Sequence, residues 1–229
     1  GLLDPDEVAV RVRPTLPHVQ PTSLLWVEDT ANRGGGAVHP LERLDALSAV
    51  ARRHGLRTHL DGARQWHAAE ASGVPIARRV AGYDTVSLCF SKGLGCPVGS
   101  ILCGTAADMA RARRFRKMLG GAMRQAGMLA AAALYAIDHH RERLADDHRH
   151  ARQLSMGLMI DGWTASTPET NIVHVDTDDA DRLQKRLEDR GVRCFAIAPG
   201  RVRLVLHLGI DDRDIDATLS AFASIRQMQ

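Results

Sequence analysis

Leu56-Arg-Thr-His-Leu60 runs straight into Asp61-Gly-Ala-Arg64, and further on Thr85-Val-Ser-Leu-Cys-Phe90 runs into Ser91-Lys92-Gly93. Each is a short run of β-forming residues closed by turn residues, which reads as a strand leaving a sheet. The interval from Asp61 to Lys92 is the size of one strand–helix–strand unit, whose two strands lie parallel. Both residues are therefore expected beyond the same edge of a parallel sheet, where such sheets bind ligands. Upstream, Ser23-Leu-Leu-Trp-Val-Glu28 reads as a third buried strand, so Glu28-Asp29-Thr30 forms a third strand end pointing the same way. Leu41, Leu44, Leu47, Val50 and Ala51 recur at helical spacing before Gly55 stops the pattern. Residues 99–103 follow Phe90 too soon for a crossover helix, so they are expected to return antiparallel through Gly93-Leu-Gly-Cys-Pro-Val98.

Two helices are expected next, around 106–118 and 125–139, joined by the glycine-rich Leu119-Gly-Gly-Ala-Met-Arg124. Beyond about Ala145 the texture changes. A charged helix precedes a strand at 171–175, a helix at 180–190, strands at 191–195 and 201–207, and a helix at 212–227. That βαββα order suggests a small α+β domain. The expected fold class is α/β, a mixed and mostly parallel sheet with flanking helices over 1–144, followed by a small C-terminal α+β domain over 145–229.

With 229 residues, 45% of them hydrophobic, the chain can bury a substantial core, and with 4% aromatics that core must be aliphatic. Thirty basic residues against 27 acidic give +3, too weak to imply nucleic acid or an anionic membrane as partner. The basic run at 111–117 has no stacking aromatic beyond Phe115 and reads as a solvated helix face. No apolar stretch approaches the roughly 18 residues of a membrane helix. Cys89, Cys96, Cys103 and Cys194 form no C-x-x-C pair and suit a reduced, cytoplasmic setting. No signal peptide is read. The opening, Gly-Leu-Leu-Asp-Pro-Asp-Glu7, lacks Met and reads as the start of a fragment, with Asp4 as a helix N-cap, Pro5 in the first turn and Glu7 closing a capping box. His139-His140 and His148-x-His150 lack metal-like partners and are expected to be solvated on charged helix faces. Gly93-x-Gly95 leads into Pro97 and a strand, so it is not a nucleotide phosphate loop.

Taken singly, a lysine after a strand, an Asp before Gly and an Arg in a first helical turn are ordinary surface groups. Together they supply what pyridoxal phosphate needs: an amine for a Schiff base, a carboxylate to keep the pyridine nitrogen protonated, and a cation near the phenolate or a substrate carboxylate. Leu60-Asp-Gly-Ala-Arg64, Ser91-Lys-Gly-Leu-Gly95 with Pro97-Val-Gly-Ser100, Arg116-Lys-Met-Leu-Gly-Gly-Ala-Met-Arg-Gln125 and Val202-Arg-Leu-Val-Leu-His207 occur in that order. From Leu2 to the C-terminal helix, the chain closely resembles the low-specificity L-threonine aldolases of the aminotransferase-like, fold type I superfamily.

The resemblance implies pyridoxal 5'-phosphate as cofactor, Lys92 as its Schiff-base lysine, Asp61 as partner of the pyridine nitrogen and Arg64 near the phenolate. It implies that Arg203 binds the substrate carboxylate, and that Lys117 and Arg124 reach the cofactor phosphate or a neighbouring subunit; a solvated basic loop explains those two equally well. The implied reaction is aldol cleavage of L-threonine, L-allo-threonine and related β-hydroxy-α-amino acids to glycine and an aldehyde. The implied assembly is a homotetramer, a dimer of dimers with active sites between subunits. Two departures stand out. The family usually reads Glu-Asn-Thr-His-Asn where this chain has Glu28-Asp-Thr-Ala-Asn32, so the histidine near the substrate hydroxyl is replaced by Ala31. The family's preceding segment, with a Gly-Thr phosphate turn and a histidine stacked on the cofactor ring, is not in this sequence, and the isolated chain is expected to hold the cofactor weakly. β-Elimination or transamination on the same scaffold, and a non-catalytic truncated homologue that packs into an oligomer, are the alternatives.

Overall fold

The computed structural model describes residues 1–227. These form two compact units, one made of Leu2–Thr30 and Val38–Arg141, the other of Gly1, Ala31–Ala37 and the chain from Glu142 onward.

The first unit holds α1 (Pro5–Arg11), β1 (Leu24–Glu28), α2 (Leu41–Arg53), β2 (Arg57–Gly62), α3 (Gln65–Ser72), α4 (Ile76–Arg79), β3 (Thr85–Cys89), β4 (Ser100–Gly104), α5 (Ala106–Met118) and α6 (Gly127–His139). Asp4 caps α1 by accepting the N–H groups of Asp6 and Glu7 at 2.9 and 3.1 Å. The sheet order is β1-β2-β3-β4, with β1, β2 and β3 parallel and β4 antiparallel, the mixed and mostly parallel sheet expected. Side chains alternate along each strand. Leu25, Val27, Leu60 and Val86 pack with Leu44, Leu47 and Ala51 of α2 as the core. Gly55, at φ +67°, takes the left-handed turn that ends α2. The opposite face of the sheet carries Trp26, 58% exposed, and the half-buried His59, Asp61 and Ser87.

The second unit holds α7 (Leu144–Ile160), β5 (Thr164–Ala165), β6 (Ile172–Asp176), α8 (Ala180–Glu188), β7 (Phe195–Ala198), β8 (Arg201–Val205) and α9 (Asp212–Arg226). Its sheet runs β5-β6-β8-β7, every pair antiparallel. Val173, Val175, Val202 and Leu204 meet Leu154 and Leu158 of α7, Leu183 and Leu187 of α8, and Phe222 and Ile225 of α9 in one core. Asp211 and Asp214 form a reciprocal capping box at the start of α9.

Two expectations change. β7 begins at Phe195, not at 191, because Gly191 at φ +80° and the bond from Val192 N–H to the Leu187 carbonyl (2.9 Å) spend 189–192 on closing α8. His148 and His150 are not solvated: they are 4% and 5% exposed. The buried face of α7 is wide enough to take in Asp147, His148 and His150 beside Leu144, Ala151, Leu154 and Leu158. Burial, aided by the charge of Arg152, pushes the His148 imidazole down to about 4.

Candidate functional site

The rim of the first sheet is built by the parallel ladder. Glu28 lies beside Asp61, and Asp61 beside Ser87, so three polar side chains line up across the C-terminal ends of β1, β2 and β3. Two residues back on the same face, His59 donates to or accepts from Thr85 Oγ1 at 2.9 Å and stacks edge-on with Trp26 at 5.0 Å. Burial holds the His59 pKa below its ordinary value, against the opposing charge of Asp61. Asp61 Oδ1 accepts the Ala63 N–H at 3.1 Å, which fixes the carboxylate at the strand end. Gly62 is required between them. A Cβ there would stand 2.8 Å from the Ser87 carbonyl oxygen, so any larger residue would force β2 and β3 apart.

Lys92 sits in the turn between β3 and β4. The Lys92 carbonyl accepts the Gly95 N–H at 2.8 Å, and the Phe90 N–H donates to the Gly99 carbonyl at 3.0 Å. Leu94 is fully buried beneath the turn, and its carbonyl meets His140 Nδ1 at 2.8 Å. The lysine side chain itself is exposed, and no hydrogen bond or ion pair engages it among the described residues. Arg64 is the half-buried N-cap residue of α3, three positions beyond Asp61.

Lys117, in the last turn of α5, and Arg124, in the link to α6, are both exposed. The backbone of that link is strained at Gln125, which takes φ +51° without being glycine.

These residues fit the cofactor that the sequence leads one to expect. The donor set is an unpaired amine, a carboxylate anchored through one oxygen, and a guanidinium, all at one rim. Next to Gly62, the fully buried Gln65 has no partner at Oε1 or Nε2, and Trp66 Nε1 is likewise buried and unpaired. Such atoms cost about 1–3 kcal/mol each when left without a partner, so the segment after Asp61 is polar beyond its internal needs. Among the described residues no group of three or more His, Cys, Asp or Glu could hold a metal ion.

In the second unit, Arg203 is half-buried on β8, beside His174 of β6 and Phe195 of β7. Its Nη1 donates to Asn32 Oδ1 at 2.7 Å, its guanidinium carbon stands 5.9 Å from the Phe195 ring centroid, and its Nε is buried without an acceptor. Asn32 belongs to the segment Ala31–Ala37, which this unit includes. Sequence reasoning missed Asn32 because 171 positions separate it from Arg203. It also missed His59 and Ser87. His59 could have been found by stepping back two residues from Asp61 along the strand.

Residues 1–180 match the family described as beta-eliminating lyase. The chain belongs to that family. This beta-eliminating lyase family member is 42% identical over 227 residues to "Probable low-specificity L-threonine aldolase 2" of Arabidopsis thaliana, covering 96% of this chain and 64% of the relative. It is 38% identical over 212 residues to the low specificity L-threonine aldolase of Escherichia coli K12, covering 92% of this chain and 62% of the relative. The structure of a threonine aldolase from Leishmania major superposes with a TM-score of 0.82 at 18% identity, covering 98% of this chain and 68% of that one. The beta-eliminating lyase fold is therefore the one described above, and the chain spans 64% of the length of its Arabidopsis relative.

Proposed function

We propose that this chain is the cofactor-bearing part of an enzyme that cleaves L-threonine, L-allo-threonine and related β-hydroxy-α-amino acids to glycine and an aldehyde with pyridoxal 5'-phosphate. The observation that carries the reading is an anchored carboxylate, Asp61, at the end of β2 and an exposed amine without a partner among the described residues, Lys92, in the turn that follows the adjacent parallel strand β3. When bound, pyridoxal phosphate supplies an electron sink for the carbon left behind by bond cleavage. Lys92 would be its covalent anchor, through a Schiff base on the side-chain amine. Asp61 holds the proton on the pyridine nitrogen. Arg64 would lie near the phenolate oxygen. Arg203 would take the substrate carboxylate as a two-pronged fork. Lys117 and Arg124 reach the cofactor phosphate or a neighbouring subunit. The names of the Arabidopsis and Escherichia coli relatives support the choice of aldol cleavage.

The working form is proposed to be a cytoplasmic homotetramer, a dimer of dimers. Exposed Phe115, Met118 and Leu119 on and after α5, and Met128, Leu134 and Tyr135 on α6, support association. The four free cysteines support a reducing compartment. Among the described residues no helix is long and apolar enough to cross a membrane.

The test is Lys92→Ala in the intact protein. It is expected to lose both the visible absorbance of the bound cofactor and the release of glycine and acetaldehyde from threonine. Undiminished cleavage by the variant would end the proposal. Ammonia and pyruvate as the products of the unmutated protein from a β-substituted amino acid, without glycine from threonine, would instead select β-elimination.

A further inference from the structure

We propose that Asn32 is the positioning residue of the carboxylate fork, holding Arg203 by one N–H so that the rest of the guanidinium faces an amino-acid carboxylate; this rests on reading Arg203 as the carboxylate-binding group. Two arginines lie on the same face of β8, and their surroundings differ. Arg201 is neutralised by Asp176, with Nε and Oδ1 2.5 Å apart. Arg203 has no carboxylate partner among the described residues. Its protein acceptor is the neutral amide oxygen of Asn32 at 2.7 Å. A neutral acceptor fixes the orientation of the planar fork without cancelling its charge, and that combination suits an anionic ligand. The buried Nε without an acceptor points the same way, since an unpaired guanidinium N–H is a standing cost that a ligand oxygen would remove.

Asn32 can do this only if its own backbone is fixed, and the segment shows how. The Ala31 N–H donates to the Ala37 carbonyl and the Gly36 N–H to the Ala31 carbonyl, both at 2.9 Å, closing a tight loop. Gly35 and Gly36 take φ +75° and +76°, the left-handed region that glycine enters without penalty. The buried Thr170 hydroxyl donates to the Gly36 carbonyl at 2.8 Å. A Cβ on Gly36 would stand 2.2 Å from that hydroxyl oxygen, so the approach depends on glycine. The loop is thus pinned beside β6, and the amide of Asn32 is presented to β8 from a rigid base. None of these pins uses the Asn32 side chain, so its replacement leaves the loop anchored.

Four variants of the intact holoenzyme test the assignment: Asn32→Ala, Asn32→Asp, Arg203→Ala and the double alanine variant. Asn32→Ala should raise KM for threonine about tenfold, the loss of one hydrogen bond to a charged group, with kcat within about twofold. Glycine binding should weaken by the same factor, and binding of glycinamide, which has no carboxylate, should not change. The double variant should bind glycine no more weakly than Arg203→Ala alone, because Asn32 acts through Arg203. Asn32→Asp keeps the acceptor but neutralises the guanidinium, so glycine affinity should fall while Tm does not, a pattern a purely structural role would not give. The proposal is overturned if Asn32→Ala and Asn32→Asp bind glycine normally, if glycinamide weakens equally, or if the two alanine effects simply add. If Arg203→Ala itself leaves glycine binding unchanged, the carboxylate assignment of Arg203 fails first, and that outcome is distinct from the others.

Discussion

Arg78 and Arg79 are neighbours on α4, and each makes an ion pair at 2.6 Å, yet they should respond to mutation very differently. Arg78 Nη2 meets Asp45 Oδ2 with both side chains nearly half exposed. Arg79 Nη2 meets Asp29 Oδ2 with both side chains fully buried. Arg79 also donates to the His39 carbonyl at 2.9 Å and to Ser72 Oγ at 3.1 Å, and the His39 N–H donates to Asp29 Oδ1 at 3.0 Å. Arg79→Met keeps most of the volume but strands a buried carboxylate, which costs ~3–5 kcal/mol. Arg78→Met removes a solvated pair worth ~0–1 kcal/mol. At ~2–4 °C per kcal/mol for a chain of this size, Arg79→Met should lower Tm by about 6–20 °C and Arg78→Met by no more than about 4 °C. Calorimetry of the two variants at pH 7 provides the measurement. The pH dependence has a defined sign. Burial by itself pushes the Asp29 carboxyl up, but His39 and Arg79 together outweigh it and hold the pKa below its ordinary value. A depressed native pKa means that the stabilisation is present above the unfolded-state value and disappears as pH falls through the native one. The gap between Arg79→Met and the unmutated protein should therefore shrink in acid, and Asp29→Asn added to Arg79→Met should recover much of the loss at pH 7. Equal Tm losses for the two arginine variants would refute the reasoning.

The remaining predictions concern the second unit. His148 has a native pKa near 4, below the ordinary histidine value of about 6.5. The unfolded state therefore binds the extra proton first, and stability should fall as pH drops from about 6.5 to about 4, by up to ~3 kcal/mol. His148→Gln should flatten that part of the Tm–pH curve; an unchanged slope would contradict the burial argument. Ala31→His puts a larger side chain where Ala31 is 3% exposed and Cβ atoms built on Gly1 and Gly34 would come within 3.0 and 3.1 Å of its methyl group. Overpacking there should cost ~1–3 kcal/mol, so Tm should fall with no gain in threonine cleavage. A faster enzyme with an unchanged Tm would show that the site has room.

Much of the first unit was readable because its signals are local. β-forming runs closed by Asp61-Gly-Ala-Arg64 and Ser91-Lys92-Gly93 mark the strand ends, and the short return to 99–103 forces an antiparallel β4. α2 was readable because Leu44, Leu47 and Ala51 repeat at helical spacing and Gly55 stops them. What sequence alone could not supply depends on distant packing. The charged surroundings of His148 and His150 imitate a solvated face, because periodicity carries no information about how much of a helix its neighbours will cover. β5 is two residues long, too short for any alternation to register. The expected start of β7 at 191 fails because Val192, Cys194 and Phe195 carry strand-forming side chains, although Gly191 commits the first of these residues to the turn. The pairing of Arg203 with Asn32 joins two polar residues that each look like an ordinary surface group.

Under the proposed chemistry, the two leading residues face opposite mechanical demands. The acid must stay fixed against one atom throughout turnover, whereas the amine must release the cofactor to the substrate and then recover it. Asp61 is built for the first demand. It lies within a strand, flanked in register by Glu28 and Ser87, with one carboxylate oxygen tied to the Ala63 N–H and no room for a side chain at Gly62. Lys92 is built for the second. Its backbone is held by the Gly95 and Phe90 bonds and by the plug of Leu94, while its side chain stands exposed and unpaired. The same turn could not have been a helical crossover, which would have carried the chain away from the rim; the antiparallel return through Gly99, at φ +115°, brings it back within ten residues. The mixed sheet matters to the proposal, because the antiparallel return keeps Lys92 on a short, pinned turn at the end of β3, the strand next to the one that carries Asp61.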